Sequence, residues 1–373
     1  VNVSPPPAAP GRRHARDGSG TAPARRPRLV LTTLTVGLVV LSLVAVGVGQ
    51  VHASPGQVVD VLLRPGGAPG GAGSSSTLET VVWQLRAPRV LAGLCVGAVL
   101  ACSGAALQAV VRNDLADPYL LGISSGACLG AALVIAGGAG GVVGAVVGAG
   151  SRAEGPTVTL GAFLGALAAL TLVLVLVGPG RSLSGSRLVL AGLTVGYFLS
   201  AATNLVVVLS DSRDAVRAVT FWMLGSLGRS SWADVPALAA VTLGSVGALT
   251  LRGRSLDAVG LGDDVARSLG VDPDRQRRTT AVLAALGVAA ATAVAGAIGF
   301  VGLVVPHLAR RLVGATHRAL IPTSALLGAL VLTGADALAR TVLAPREIPL
   351  GILTALVGTP LLMSMLRRRS HGS

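Results

Sequence analysis

Ten apolar runs, each close to the length that a helix needs to cross a bilayer, leave this chain little choice of surroundings. They occupy residues 29–50, 90–110, 118–138, 157–177, 188–209, 233–251, 279–298, 299–313, 321–342 and 349–366. One helical crossing takes roughly 20 predominantly apolar residues. Backbone groups in hydrocarbon must bond within their own segment, so runs of this kind predict helices. The expected fold is therefore an all-α integral membrane protein of about ten transmembrane helices. The eighth run is short and merges into the seventh, and the Gly/Val/Ala stretch 137–150 reads either as an extension of the third or as a re-entrant piece. Charged residues make up only 12% of the chain, against about 25% in soluble domains. That excludes an ordinary cytosolic enzyme, a disordered protein and a secreted disulfide scaffold.

All 30 basic residues counted as Lys or Arg are arginine. Without lysine there is no P-loop lysine and no lysine Schiff base, so ATP-driven chemistry has to come from a partner chain. The net charge of +14 would suit nucleic acid, but on a membrane protein clustered arginine marks cytoplasmic loops. No nucleic-acid partner is expected, and the lipid bilayer is. Residues 1–28, rich in Pro, Gly and Arg, read as a disordered basic cytoplasmic tail. The run 29–50 that follows is too long for a signal-peptide core and reads as the first span. With the tail inside and ten spans, the inner side receives 21 arginines and the outer side nine. This bias places both termini in the cytoplasm, with 367–373 as a short C-terminal tail. An odd number of spans would put Arg367, Arg368 and Arg369 outside. Residues 51–82 read as a loop.

Small residues recur within the spans. Gly93/Gly97, Gly126/Gly130, Gly161/Gly165 and Gly192/Gly196 are GxxxG pairs, which read as close helix packing within one bundle. Cys95, Cys102 and Cys128 have no metal-binding or haem-attachment spacing and read as small packing residues. Asp336 is the carboxylate well inside a span, and Arg340 four residues on reads as its salt-bridge partner. Gln108, Tyr197, Ser200 and Asn204, with Thr203, are uncharged polar candidates for an internal pathway, or for bonds to a neighbouring helix. His307 has no second ligand at metal-binding spacing. No nucleophile, base and acid can be assembled, so no catalytic residue and no metal site is predicted.

The polar inner loop 252–278 is more patterned than a linker. Leu261, Val265 and Leu269 recur every four residues, as along one helix face, with Asp263, Asp264 and Arg267 toward the other side. An amphipathic surface helix can lie on lipid or dock in a partner's groove, and the two adjacent acids favour the partner.

Longer blocks carry a resemblance. WQLRAPRVLAGLCVGAVLACSGAALQAVVRNDLADPYLLGISSGA at 83–127 is similar to the signature of FecCD-type permeases. These are the membrane subunits of binding-protein-dependent ABC importers for ferric siderophores, haem and cobalamin. FWMLGSL at 221–227, LGDDVARSLGVDPDRQRR at 261–278, GAIGFVGLVVPHLARRLVG at 296–314 and ADALARTVLAPREIPLGILTALVGTPLL at 335–362 follow in the family's order. The resemblance covers about residues 30–366.

It implies the type II ABC importer permease architecture, with 29–366 as one ten-helix transmembrane domain in the bacterial cytoplasmic membrane. A second permease subunit, identical or paralogous, would complete a central path. Two ATPase subunits, which bind the ATP and Mg, would dock on 252–278. Leu261, Gly262, Val265, Ala266, Leu269 and Gly270 would carry the coupling. An extracytoplasmic substrate-binding protein would dock on Arg86, Arg89 and Arg340. The chain would be a transport subunit without cofactor and not an enzyme, importing a ferric siderophore. Cobalamin or haem import and, outside the family, an ion-coupled secondary transporter are the alternatives. One position departs from the family: RNPLADP is RNDLADP here, and Asp114 in place of proline is expected to cap the next helix or make a turn bond.

Overall fold

The computed structural model describes residues 27–49, 55–63, 78–137, 155–178 and 185–370. Among these residues all regular structure is helical. In chain order the helices are α1 (Pro27–Gly47), α2 (Pro55–Leu63), α3 (Leu78–Val111), α4 (Ile123–Gly137), α5 (Gly155–Val177), α6 (Gly185–Val208) and α7 (Arg213–Met223). They continue as α8 (Val235–Leu251), α9 (Gly253–Gly260), α10 (Asp263–Ser268), α11 (Pro273–Ala295), α12 (Val301–Val313), α13 (His317–Thr341) and α14 (Leu350–Ser370).

Ten of these helices fall on the ten predicted runs. Six (α1, α3, α5, α6, α11 and α13) are long and apolar enough to cross a membrane alone, and α8 with α9 makes a seventh across a 57° bend. The apolar parts of α4 and α14 are shorter, and α12 has 13 residues.

Three features differ from the sequence reading, and a fourth fixes a boundary that it left unclear. The segment read as a loop at 51–82 contains α2 and the start of α3. The third span begins at Ile123 because Pro118–Leu121 winds as a 3₁₀ turn, capped by the Asp117 carboxylate, which accepts the Tyr119 N–H at 2.8 Å. The amphipathic α7 lies between the fifth and sixth spans. The seventh and eighth runs are separated by a true break: α11 stops at Ala295 and α12 starts at Val301. The tail 1–26, the stretch 138–154 and residues 371–373 lie outside the described residues.

Because lipid is as apolar as a leucine side chain, helices in a membrane associate by close packing rather than by hydrophobic drive. α3 is the central pole. Its most apolar window is 78% buried, against 17% for α1 at the periphery, and it packs along α13, α11, α8 and α12. Glycine makes these approaches possible. On α4, Gly126 and Gly130 face Gly165 and Gly161 of α5, and a Cβ at any of the four would collide with the opposing helix. The two GxxxG pairs thus mesh with each other inside one chain. Where α3 meets α12, a Cβ on Gly104 would overlap the Gly302 carbonyl.

The bundle has two distinct ends. One gathers the last turn of α1, the first turns of α3 and the last turn of α13. The other carries α9 and α10, the last turn of α3 and the first turn of α11.

Replacing Gly130 by valine should cost about 1–3 kcal/mol of stability, because overpacking displaces backbone. Gly244→Ala in α8, where an added Cβ meets nothing within 4 Å, should be neutral or stabilising through helix propensity. Thermal melting in detergent, or the fraction surviving as a monodisperse species, checks both. Equal melting of the two variants would remove the α4–α5 mesh as a source of stability.

Candidate functional site

Three predicted docking residues lie together at the first end, and all are engaged internally. Arg86, Arg89 and Arg340 are 5%, 9% and 6% exposed. Asp336 of α13 sits between two of them. Arg89 donates from Nε to Asp336 Oδ1 at 3.0 Å, and its Nη2 lies 2.9 Å from the same oxygen. Arg340 Nε lies 3.1 Å from Asp336 Oδ2. Arg89 also makes a bidentate pair with Glu347, at 3.0 and 2.9 Å. The remaining donors reach the end of α1. Arg86 Nη1 donates to the carbonyls of Val46 and Gly47, both at 3.0 Å, and Arg340 to those of Ala45 and Val48. A helix C-terminus offers orphan carbonyls and partial negative charge, so guanidinium groups cap it well. The predicted Asp336–Arg340 pair is therefore part of a network that ties α1, α3 and α13.

Beside it, Val81–Arg86 at the start of α3 winds as a π-helix. Trp83 there donates to Val61 O, and the stacked Trp232 donates to Trp83 O.

At the other end, the predicted coupling loop 252–278 forms two short helices before α11, and of the six predicted coupling residues only Val265 and Ala266 lie within one of them, α10. The chain turns between α9 and α10 at Gly262 (φ 124°) and leaves α10 at Gly270 (φ 77°), left-handed conformations suited to glycine. Leu261, Val265 and Leu269 are exposed, but they do not share the single helix face that their spacing predicts: Leu261 precedes the Gly262 turn and Leu269 follows the last turn of α10. Ala266 is buried against α9, so it holds the short helix in place rather than offering a surface.

Asp263 faces inward and binds Arg277 of α11. The Arg277 hydrogen bonds hold the Asp263 carboxyl below the usual carboxylate range, despite some burial. A depressed pKa contributes stability that is present above the unfolded value and is lost only as pH falls through the folded one. This contact thus persists throughout the neutral range. Asp257 of α9 accepts the His317 backbone N–H at 3.0 Å and contacts its Nδ1 at 2.6 Å, which joins α9 to the start of α13.

Between the ends, non-helical backbone is gathered inside the bundle. At membrane depth such backbone is tolerated only where protein or a water-filled cavity satisfies it. Ile298 N donates to the Tyr119 hydroxyl at 3.1 Å, Ser226 N to Ala295 O at 2.8 Å, and Leu350 N to Gly225 O at 2.9 Å. The 3₁₀ turn and the α11–α12 break border a cavity of about 410 Å³, shared with one face of α6. Asp117, Tyr119, Ser125, Tyr197, Ser200 and Phe300 are among its lining residues. Tyr197 is 71% exposed, and Ser200 Oγ lies 3.1 Å from Ser125 Oγ.

Two predicted pathway residues, Tyr197 and Ser200, thus meet in one wall. Asn204 is exposed one turn further along α6, outside the cavity lining. Gln108 is buried elsewhere and ties α3 to Ala116 O and Leu303 O. Thr203 is buried and bonds its own helix. Asp114 pairs with Arg310 of α12 at 3.4 Å, while the cap of the following turn comes from Asp117. Cys102 and Cys128 are buried and Cys95 partly so. Among the described residues no group of three His, Cys, Asp or Glu side chains gathers to hold a metal.

Asp336→Asn would leave two buried guanidinium groups without their shared charge, at a cost of about 3–5 kcal/mol. Glu347→Gln, at a half-exposed partner, should cost under about 1 kcal/mol. Melting of the purified chain in nanodiscs checks the ranking, and a loss for Glu347→Gln equal to that for Asp336→Asn would contradict it.

The FecCD transport family matches residues 37–368. The Fe(3+)-citrate import system permease protein YfmE of Bacillus subtilis is 36% identical over 93% of this chain and 97% of its own length. The hemin transport system permease protein HmuU of Yersinia pestis is 37% identical, over 93% and 98%. The cobalamin import system permease protein BtuC of Halobacterium salinarum is 37% identical, over 91% and 90%. In three dimensions the chain is similar to an ABC transporter of the metal-chelate type in an inward-facing conformation. That match has a TM-score of 0.75 and 30% identity, and covers 91% of this chain and 99% of the other. A multi-pass helical bundle with this architecture works with ATPase and binding-protein partners, which removes the ion-coupled alternative. The protein belongs to the FecCD transport family and is the permease subunit of an ABC importer.

Proposed function

We propose that this permease carries a ferric siderophore, preferably one without net negative charge, across a bacterial cytoplasmic membrane. The observation that carries the substrate reading is the cavity wall on α6. There the hydroxyls of Tyr197 and Ser200 meet that of Ser125 on α4, the rings of Tyr119 and Phe300 and the carboxylate of Asp117, with no cationic side chain among the lining residues. Such a wall suits a chelate whose metal charge is already neutralised by its own ligands. It disfavours the carboxylates of hemin and ferric citrate, because a desolvated like-charge approach is costly. The three relatives are almost equally similar to this chain, so similarity by itself does not rank the substrates. Cobalamin, which has no carboxylate, is the second reading and has relatives at 36–38% identity behind it.

The path runs between two permease subunits, identical or paralogous, with both termini and the α9–α10 end in the cytoplasm. The exposed Leu261, Val265 and Leu269 seat in a groove of an ATPase subunit, one per permease. The binding protein docks on the opposite end. In that role Arg86, Arg89 and Arg340 act from partly occupied positions: Arg89 can take a partner's carboxylate only in competition with Glu347, which already holds it.

Radio-iron uptake in cells that express the permease with its ATPase and binding protein tests the substrate. A neutral ferric hydroxamate should be taken up, and uptake should vanish when the permease is deleted; unchanged uptake after deletion, with cobalamin uptake lost instead, would favour the second reading. For docking, Glu347→Gln should free Arg89 and tighten binding-protein affinity about two- to fivefold at low salt, the scale of one exposed pair. Unchanged or weaker affinity would take Arg89 out of the docking site.

A further inference from the structure

Arg277 is an unusual place to bury a charge. It sits in the second turn of α11 and is 1% exposed, among the largest fully buried side chains in the protein. Its three nitrogens have separate work. Nη1 donates to Asp263 Oδ2 at 3.0 Å and Nη2 to Oδ1, a bidentate grip on the first residue of α10. Nε donates to the carbonyl of Val110 at 3.2 Å, in the last turn of α3. Arg112 closes the group from the end of α3, 3.2 Å from Asp263 Oδ1. Apolar contact between α10 and the body is slight by comparison: Ala266 packs on Ala258 and Val259, with Val271 beside them.

We propose that Arg277 and Asp263 are positioning residues for energy transfer, a clamp through which movement of α10 is delivered to the ends of α3 and α11. The proposal rests on the reading of α10 as the ATPase contact. Three observations argue for a lever rather than a simple tie. First, α10 has six residues and little core of its own, so a load on its exposed Val265, or on Leu261 and Leu269 that flank it, must leave through its strongest attachment. Second, that attachment is bidentate and ends in a planar group with no freedom to slide, unlike a lysine or an apolar contact. Third, the receiving helix is the pole of the bundle. α3 has 34 residues, about 50 Å at 1.5 Å per residue. At its far end it bears Arg86 and Arg89, joined to α1 and α13. A displacement at Asp263 thus has a rigid route from the motor side of the membrane to the arginine network on the other.

The test has two arms, with Asp263→Asn as the variant and Asp263→Glu as the conservative rescue. Asp263→Asn takes the bidentate charge from the buried Arg277 and leaves it Asp274 at 3.8 Å, so its folding is checked by melting against Asp263→Glu, which keeps the charge. In the purified permease in nanodiscs, hydrogen exchange should accelerate at 261–271 and also at 109–113 in Asp263→Asn, and return toward wild type in Asp263→Glu. In proteoliposomes with the ATPase and binding protein, Asp263→Asn should keep ATP hydrolysis while substrate moved per ATP falls at least about fivefold, the lower range of inter-site coupling. Asp263→Glu should restore much of that ratio. Transport and hydrolysis falling together, or an unchanged ratio with the exchange effect present, would overturn the lever. Wild-type vesicles that hydrolyse ATP without moving substrate would instead remove the reading of α10 on which it rests.

Discussion

A guanidinium group does not give up its charge in a protein, so each one drawn into a membrane bundle must find its compensation there. Two such settlements organise this permease. At one end Asp336 serves Arg89 and Arg340, and the spare donors of Arg86 and Arg340 cap the carbonyls that end α1. At the other end Asp263 serves Arg277 and Arg112. Breaking a buried pair leaves an uncompensated charge, which costs more than the intact pair contributes. The two networks therefore fix geometry more than they add stability.

α3 runs from one network to the other, and glycine lets its neighbours come close enough to move with it. Against this stiff pole the middle of the bundle is irregular: the 3₁₀ turn at 118–121, the break at 296–300 and the bend at 224–228 lie together inside. Broken backbone of this kind supplies polar groups at membrane depth without charged side chains. The turn and the break border a cavity whose hydroxyls, aromatic rings and single carboxylate suit guiding a bulky solute lightly. A permease must let go of its substrate, and strong ligands in the path would work against release.

Much of the helical layout was legible because apolar length is a local property, and ten runs give ten helices. The break at 296–300 was legible as a division into two runs but not in its exact place, since the residues on either side are equally apolar. α7 left a signal that the reading passed over: Ser212 caps it and Asp214 sits in its first turn. The contacts of Arg89 with Asp336 and Glu347 span 247 and 258 residues and leave no local trace. Arg277 did leave one. It continues the stripe of Ala281, Ala284, Ala285 and Val288 that faces the core, whereas Arg275 and Arg278 point out. A cation in register with a buried stripe is a sign that a partner waits there. Asp114 reaches Arg310 of α12, a contact no one-dimensional pattern records.

Energy can enter through the α9–α10 end only if that end faces the cytoplasm. Single cysteines placed by Val265→Cys and Leu343→Cys, in a chain with its three native cysteines replaced by alanine, test this directly with a membrane-impermeant maleimide. The prediction is that intact cells label position 343 and that position 265 reacts only after the membrane is opened. Labelling of position 265 in intact cells would turn the protein over and separate the motor from the helix it is held to drive.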